Sequence, residues 1–210
     1  MRKALIQILV IFSVFSLLIA PCFGDALKAF EGHQGTIRIA GGTAHIPVMK
    51  EAAKRIMTRY KDIAITVAGG GSGLGIKQVG EGLVDIGNSG RKPKPAEIEK
   101  YNLKMFKWAI DGVGAVVNPA NSVQSLTKAQ LKDVFSGKTG DWSALGGVKH
   151  AITVYTRDES SGTRDVFWKK ALDKGAVSSK ALFVSSNGAM KTAVANNPYA
   201  IGYVSVGHMD

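Results

Sequence analysis

One cysteine in 210 residues, and that one at position 22, leaves the body of the chain without thiol chemistry. No disulfide and no thiolate metal site can form beyond it, so stability must come from packing. Histidine is sparse as well. His33, His45, His150 and His208 show no ligand spacing, and neither an HExxH motif nor a clustered carboxylate set is present. The expectation is no metal and no cofactor. Acidic residues are outnumbered, 16 against 27 basic. Such an excess suits nucleic acid, an acidic surface or a small anion drawn in by the field. Arginine-rich runs and basic–aromatic interleaving are missing, however, and the lysines are scattered, densest at Arg91-Lys92-Pro93-Lys94. A nucleic-acid groove is thereby disfavoured and the small anion preferred.

Only one long apolar run exists, and it comes first. Met1-Arg2-Lys3 is basic, Ala4 to Ala20 is interrupted only by Gln7, Ser13 and Ser16, and Pro21 then breaks the pattern. That is the layout of a secretory signal, read as residues 1–24 with cleavage after Gly24, or Ala26 as the alternative. An uncleaved membrane anchor is the rival, since the run is nearly long enough to span. Ile19-Ala20-Pro21-Cys22 resembles a lipoprotein box only loosely, because proline precedes the cysteine. The remaining 186 residues carry 25 basic and 16 acidic side chains, a balance of +9. They suffice for one large domain or two small ones.

Strand-like and helix-like stretches alternate. "TIRIA" (36–40) alternates apolar and polar residues and ends in Gly41-Gly42. Met49, Ala52, Ala53, Ile56, Met57 and Tyr60 then follow helical spacing, with Pro47 in the first turn. "IAITV" (63–67) is strand-like and runs into a glycine-rich turn, after which Ile76, Val79 and Leu83 mark a short helix. "VDIG" (84–87) predicts a short buried strand, and 103–118 reads as extended. Thr127 and Gln130 form a capping box for a helix over 128–135. "AITVY" (151–155) is a strand, Phe167 and Ala171 share a helix face, Asn187 to Asn196 is a further helix, and "YAIGYVSV" (199–206) is a last strand. Asp141-Trp142 reads as a turn packed by its indole. The order predicts an α/β fold with mainly parallel strands, whose ligands sit beyond the carboxyl ends of the strands.

Three turns share one plan: a strand, small polar residues, a helix start. They are Gly41-Gly42-Thr43-Ala44-His45, Gly70-Gly71-Ser72-Gly73 and Ser160-Ser161-Gly162-Thr163. A helix N-terminus offers unpaired N–H groups and partial positive charge; glycine permits close approach, and hydroxyls add directional donors. Converging, such turns could wrap a tetrahedral anion, with Arg157 adding a charge-assisted contact. Nucleotide motifs fail the test. No Gly-Lys-Ser/Thr closes the glycine run, and Gly71-Ser72-Gly73-Leu74-Gly75 has its last glycine too early for a dinucleotide fingerprint. A hydrolase would need an activated nucleophile, yet no Gly-x-Ser-x-Gly elbow exists and Ser161 has no evident base. Asp158 and Glu159 read as solvated loop carboxylates, and His45, despite its place in the first turn, as a packing residue.

These stretches, taken in order, resemble the phosphate-binding proteins of ABC uptake transporters (the Pst type), especially the shorter ones. "GGGSGLGIKQVGEGLVDIGNSGRKP" is similar to that family's Gly-Ser loop, helix and Asp-Ile-Gly turn. "VFSGKTGDWSALGG" is similar to its Gly-Lys…Trp segment, "TRDESSGTRDVF" to its Arg-x-x-x-Ser-Gly-Thr loop, and "AIGYVSV" to its return strand.

The resemblance implies a two-lobed, type II periplasmic-binding-protein-like α/β fold. Its first lobe would span 25–114, its second 115–198, and residues 199–210 would be a strand returning to the first lobe. It implies phosphate binding by Arg157, Ser161, Gly162 and Thr163 from the second lobe and by Ser72, Thr43 and Ala44 from the first. Gly42 and Ala44 stand where short members usually show hydroxyl residues. Gly90 stands where longer members carry an aspartate that accepts the phosphate proton, which bears on discrimination against sulfate. Family members continue past the "AIGY" strand whereas this chain ends at Asp210, implying a shortened first lobe. The implied function is a non-enzymatic, periplasmic or extracytoplasmic receptor delivering inorganic phosphate to an ABC transporter permease. It would meet the membrane only through that permease or an uncleaved signal. The alternatives are another oxyanion (sulfate, molybdate, tungstate), a phosphoester hydrolase or phosphotransferase, and a degenerate relative that binds nothing.

Overall fold

The structure, a computed structural model, describes residues 25–209. The signal read over 1–24, its Gly24 cleavage point and Cys22 lie outside the described residues. The described residues fall into two units, one ending at His33 and one beginning at Gln34. The described part of the first holds a 3₁₀ helix, Ala26–Phe30, capped by Asp25, whose carboxylate accepts from the Leu27 N–H at 3.1 Å.

The second unit contains two sheets. Strands β1 (Gly35–Gly41), β2 (Ile63–Ala68) and β3 (Ile86–Asn88) lie in the order β2-β1-β3, all parallel. Helices α1 (Ile46–Arg59), α2 (Ser72–Gly80) and α3 (Pro95–Tyr101) belong to this lobe. Strands β4 (Val113–Val117), β5 (Thr153–Thr156), β6 (Leu182–Phe183) and β7 (Ala200–Ser205) form the other sheet in the order β4-β7-β5-β6. Only β4 runs antiparallel to its neighbour. Helices α4 (Lys128–Ser136), α5 (Gly162–Lys170) and α6 (Asn187–Ala195) complete the second lobe. The mainly parallel α/β architecture is the one the alternating pattern predicts.

Local sequence explains most of these elements. In α1, Pro47 occupies the first turn, where a missing N–H costs nothing, and Ala53 and Ile56 face inward. The capping box opens α4: Gln130 N–H donates to Thr127 Oγ1 at 3.2 Å and Thr127 N–H to Gln130 Oε1 at 2.8 Å. Gly137, at φ 82°, ends that helix in the left-handed region. Val134 and Phe135 are thereby committed to a core with Trp142, Phe167, Leu172, Ile201 and Tyr203. Within it Phe167 stacks on Tyr203 with centroids 4.3 Å apart, and Phe135 meets Phe167 edge-on at 5.0 Å. Trp142 is fully buried and its Nε1–H donates to Tyr199 O at 2.9 Å, so Asp141-Trp142 is indeed an indole-packed turn.

Several expectations need adjusting. β4 is one continuous strand of the second sheet from Val113, so that sheet begins before residue 115. β7 is an inner strand of the same sheet, between β4 and β5, buried at all six positions. Only beyond it, at the 3₁₀ turn Val206–His208, does the chain reach the first lobe, where His208 Nε2 lies 3.2 Å from Thr43 O. β3 is an edge strand with Ile86 exposed, because it pairs with β1 alone. α2 stops at Gly80, which leaves Leu83 outside it and exposed. Helix α3 was not legible, and residues 103–112 form neither strand nor helix.

Candidate anion-binding site

The polar turns all fall at the carboxyl ends of the strands, as parallel sheets dictate. β1 leads through Gly41-Gly42 into a 3₁₀ turn, Thr43–His45, and then α1. Gly41 has φ 129°, and a Cβ there would lie 2.2 Å from Asn88 O, so only glycine lets β1 and β3 end this close together. β2 leads into Ser72 at the start of α2, and β5 runs directly into Arg157 and the loop that opens α5 at Gly162.

All seven residues singled out from sequence meet around one hollow. Thr43, Ala44 and Ser72 line it from one lobe, and Arg157, Ser161, Gly162 and Thr163 from the other. Gly42, Gly71 and Gly90 complete the wall. The enclosed space is small, far too little for a nucleotide or sugar ester.

Arg157 is the strongest feature. It is 1% exposed, and its Nε has no hydrogen-bond partner among the described residues. Its guanidinium contact among the described residues is Nη1 to Thr43 Oγ1 at 3.5 Å, and no carboxylate lies within ion-pairing distance. Burial lowers its pKa, yet an arginine remains charged at neutral pH. The neighbouring Asp158 carboxylate offsets part of the charge without forming an ion pair with the guanidinium, and an anion in the hollow would stabilise the rest. Its backbone is fixed from the core: Arg157 N–H donates to the Tyr203 hydroxyl at 3.0 Å, and that hydroxyl also meets Thr156 Oγ1 at 3.0 Å. Burial raises the Tyr203 pKa, so the group stays a neutral phenol.

The hydroxyls around Arg157 are each held on their acceptor side. Ser72 Oγ accepts from Gly90 N–H at 2.9 Å, and Ser161 Oγ, the N-cap of α5, from Arg164 N–H at 3.2 Å. Thr43 Oγ1 accepts from Asn187 N–H at 3.1 Å and from Asn187 Nδ2 at 3.0 Å; the same Nδ2 reaches Thr163 Oγ1 at 3.2 Å. Each hydroxyl thus has at least one acceptor position filled, which biases its O–H hydrogen towards the hollow. Not every backbone donor is left so: Gly73 N–H donates across the lobes to Ser160 O at 3.0 Å. A Cβ on Gly162 would stand 2.3 Å from Ser72 Oγ, another measure of how closely the lobes meet.

Asn187 was missed by sequence reasoning. It reads only as the first residue of a helix, which Ser186 caps, and nothing local signals its bond to a threonine 144 positions away. His45 lies behind the hollow, its ring edge-on to Trp108 at 5.5 Å, and burial lowers its pKa. Asp158 Oδ1 accepts from Ser160 N–H at 2.8 Å and from the Ser160 hydroxyl, while Ser161 bonds to a backbone N–H and to no acid or imidazole among the described residues. No nucleophile–base pair is formed among the described residues. Among the described residues no group of His, Cys, Asp and Glu could hold a metal ion.

Comparison with known proteins agrees with this geometry. The PBP superfamily domain matches residues 29–210. The phosphate-binding protein PstS of Bacillus subtilis (strain 168) is 35% identical over 219 residues, covering all of this chain and 73% of that protein. The PstS of Staphylococcus saprophyticus is 30% identical and covers 90% and 61% respectively, so this chain spans about three fifths of the staphylococcal protein's length. A phosphate ABC transporter substrate-binding protein from Clostridium perfringens, crystallised with bound phosphate, superposes with TM-score 0.76 at 33% identity. That match covers 82% of this chain and 71% of the other. An ABC-type phosphate transport receptor from Vibrio cholerae gives 0.57 at 33% identity, covering 83% and 72%. With its sheets, its strand-end turns and these relatives, the chain belongs to the PBP superfamily, in the company of the PstS phosphate-binding proteins.

Proposed function

We infer that the hollow binds inorganic phosphate and that the protein is the solute receptor of an ABC phosphate importer. The observation that carries this reading is Arg157, a buried guanidinium without a carboxylate, facing hydroxyls whose hydrogens are free to donate. Phosphate would be held by Arg157, Thr43, Ser72, Ser161 and Thr163, with backbone N–H groups of Ala44 and Gly162 at the helix starts. The two lobes would open and close on it as a hinge. Micromolar affinity corresponds to about −8 kcal/mol, within reach of a few charge-assisted bonds worth roughly 1.5–3 kcal/mol each. The relatives are by name a phosphate-binding protein and a phosphate transport receptor, and among the described residues no nucleophile–base pair is formed, which supports binding without turnover. An extracytoplasmic location follows from the export signal read in the sequence; no helix among the described residues is long and apolar enough to cross a membrane. The partner would be the importer's permease.

A second ligand class has one observation in its favour. Gly90 forms the wall beside Ser72 without a side chain, and no carboxylate lines the hollow to accept a proton from monohydrogen phosphate. Sulfate, molybdate or tungstate would present only acceptors and fit the same donors. Calorimetric titration of the purified chain with each oxyanion separates the two. Arg157→Met is expected to weaken phosphate binding at least 100-fold while the ligand-free melting temperature holds or rises, since a buried unpaired charge has been removed. Wild-type affinity in that variant would overturn the reading.

A further inference from the structure

We propose that Asn187, which does not line the hollow, is a positioning residue that makes Thr43 an obligate hydrogen-bond donor to the anion. The proposal rests on the reading of the hollow as an anion site and deepens it.

Asn187 is fully buried at the first turn of α6, and its Oδ1 accepts from Ser205 N–H at 3.0 Å. Since that neighbour is a donor, the oxygen must face it, and the NH₂ must face the other way. There Nδ2 lies 3.0 Å from Thr43 Oγ1 and 3.2 Å from Thr163 Oγ1, one hydrogen for each. The backbone N–H of the same residue adds a second bond to Thr43 Oγ1 at 3.1 Å. A hydroxyl has two acceptor positions and one hydrogen. Asn187 supplies the two shorter donors to Thr43 Oγ1 and Arg157 Nη1 a longer one at 3.5 Å, so its acceptor positions are taken and its O–H points away, towards the hollow it lines. Thr163 keeps one acceptor position and is only biased in the same direction. The strand residue Ser205 of β7 is thus linked through Asn187 to the first-lobe Thr43, so that the second lobe dictates the polarity of a first-lobe ligand group.

Without Asn187, the Thr43 hydroxyl would be free to rotate and to act as acceptor, and an anion would have to impose the donor orientation itself, at a cost in affinity. The effect should pass through the Thr43 hydroxyl and vanish when that hydroxyl is gone. The test is a double-mutant cycle on the full chain, with phosphate titrated by calorimetry and melting temperature recorded alongside. Asn187→Ala is expected to weaken phosphate binding 10- to 100-fold in the wild-type background and less than threefold in the Thr43→Val background. Equal losses in both backgrounds would overturn the proposal, whatever the change in stability. Asn187→Asp supplies a second check should the alanine variant unfold. It keeps the acceptor for Ser205 N–H but replaces the NH₂ with an oxygen that captures the Thr43 hydrogen. Binding should be lost at neutral pH and partly recovered in acid as the new carboxyl regains a proton; a loss independent of pH would count against the assignment. If the wild type binds neither phosphate nor sulfate, the anion reading itself falls, an outcome distinct from an uncoupled cycle.

Discussion

The two lobes stabilise themselves differently. The second is built on aromatic rings, with Phe135, Phe167 and Tyr203 packed together beneath a sheet whose inner strand is buried along its full length. Its exposed apolar side chains include Leu182 and Phe183 on the short edge strand β6. The first buries mainly aliphatic or small residues, Ile39, Ala40, Ala53, Ile56, Ile63 and Ile76, and leaves Phe106 74% and Ile110 86% exposed on the stretch that follows α3. The site divides along the same line. Arg157 is tied through Tyr203 to the aromatic core, whereas the first lobe contributes short side chains and glycine turns held by β-strand register. The charged side of the hollow is therefore anchored in the better-packed half.

The largest expected effect tests the packed half. Phe135→Ala should cost about 3–5 kcal/mol in denaturant unfolding, by analogy with other buried aromatic deletions, and should weaken phosphate binding by loosening Tyr203. A cost below 1 kcal/mol would erase the distinction between the lobes.

An intermediate effect concerns acid and the first lobe. Arg91, 9% exposed, donates to both Glu97 carboxylate oxygens at 2.8 and 2.7 Å, which depresses the Glu97 pKa from 4.5 to about 2. A folded-state pKa below the unfolded value means stability that is fully present above about pH 4.5 and lost as pH falls towards 2. Unfolding measured across that range should show the loss, and Glu97→Gln should flatten it while costing about 1.5–3 kcal/mol at pH 7. An unchanged acid slope in the variant would place the sensitivity elsewhere.

The smallest effect is on the exposed stretch. Phe106→Ser and Ile110→Ser should each change stability by no more than about 0.5 kcal/mol, because those side chains have little contact to lose. A cost approaching that of Phe135→Ala would mean they are covered in solution.

How much of this was readable beforehand follows from distance along the chain. β1, β2, α1 and α4 were legible because period-two and helical patterns, Pro47 and the Thr127–Gln130 box are local signals. Helix α3 escaped because its seven residues bury none of their side chains, so no apolar stripe betrays it. The seven candidate ligand residues were visible because each sits on a strand–glycine–helix junction or beside one. Tyr203 and Asn187 were not: a strand aromatic and a helix-opening asparagine look ordinary until the fold brings them to partners 46 and 144 positions away.

The position of β7 has a consequence for biosynthesis. Val113 must wait for Ser205 and Thr153 for Ala200 before either can pair, so the strand that closes the second sheet is the last of the described strands to leave the ribosome. Such non-local pairing makes collapse slow. The β2-β1-β3 sheet, by contrast, has all its strands by residue 88, so the first half of the chain can complete its sheet while the second still waits for its inner strand.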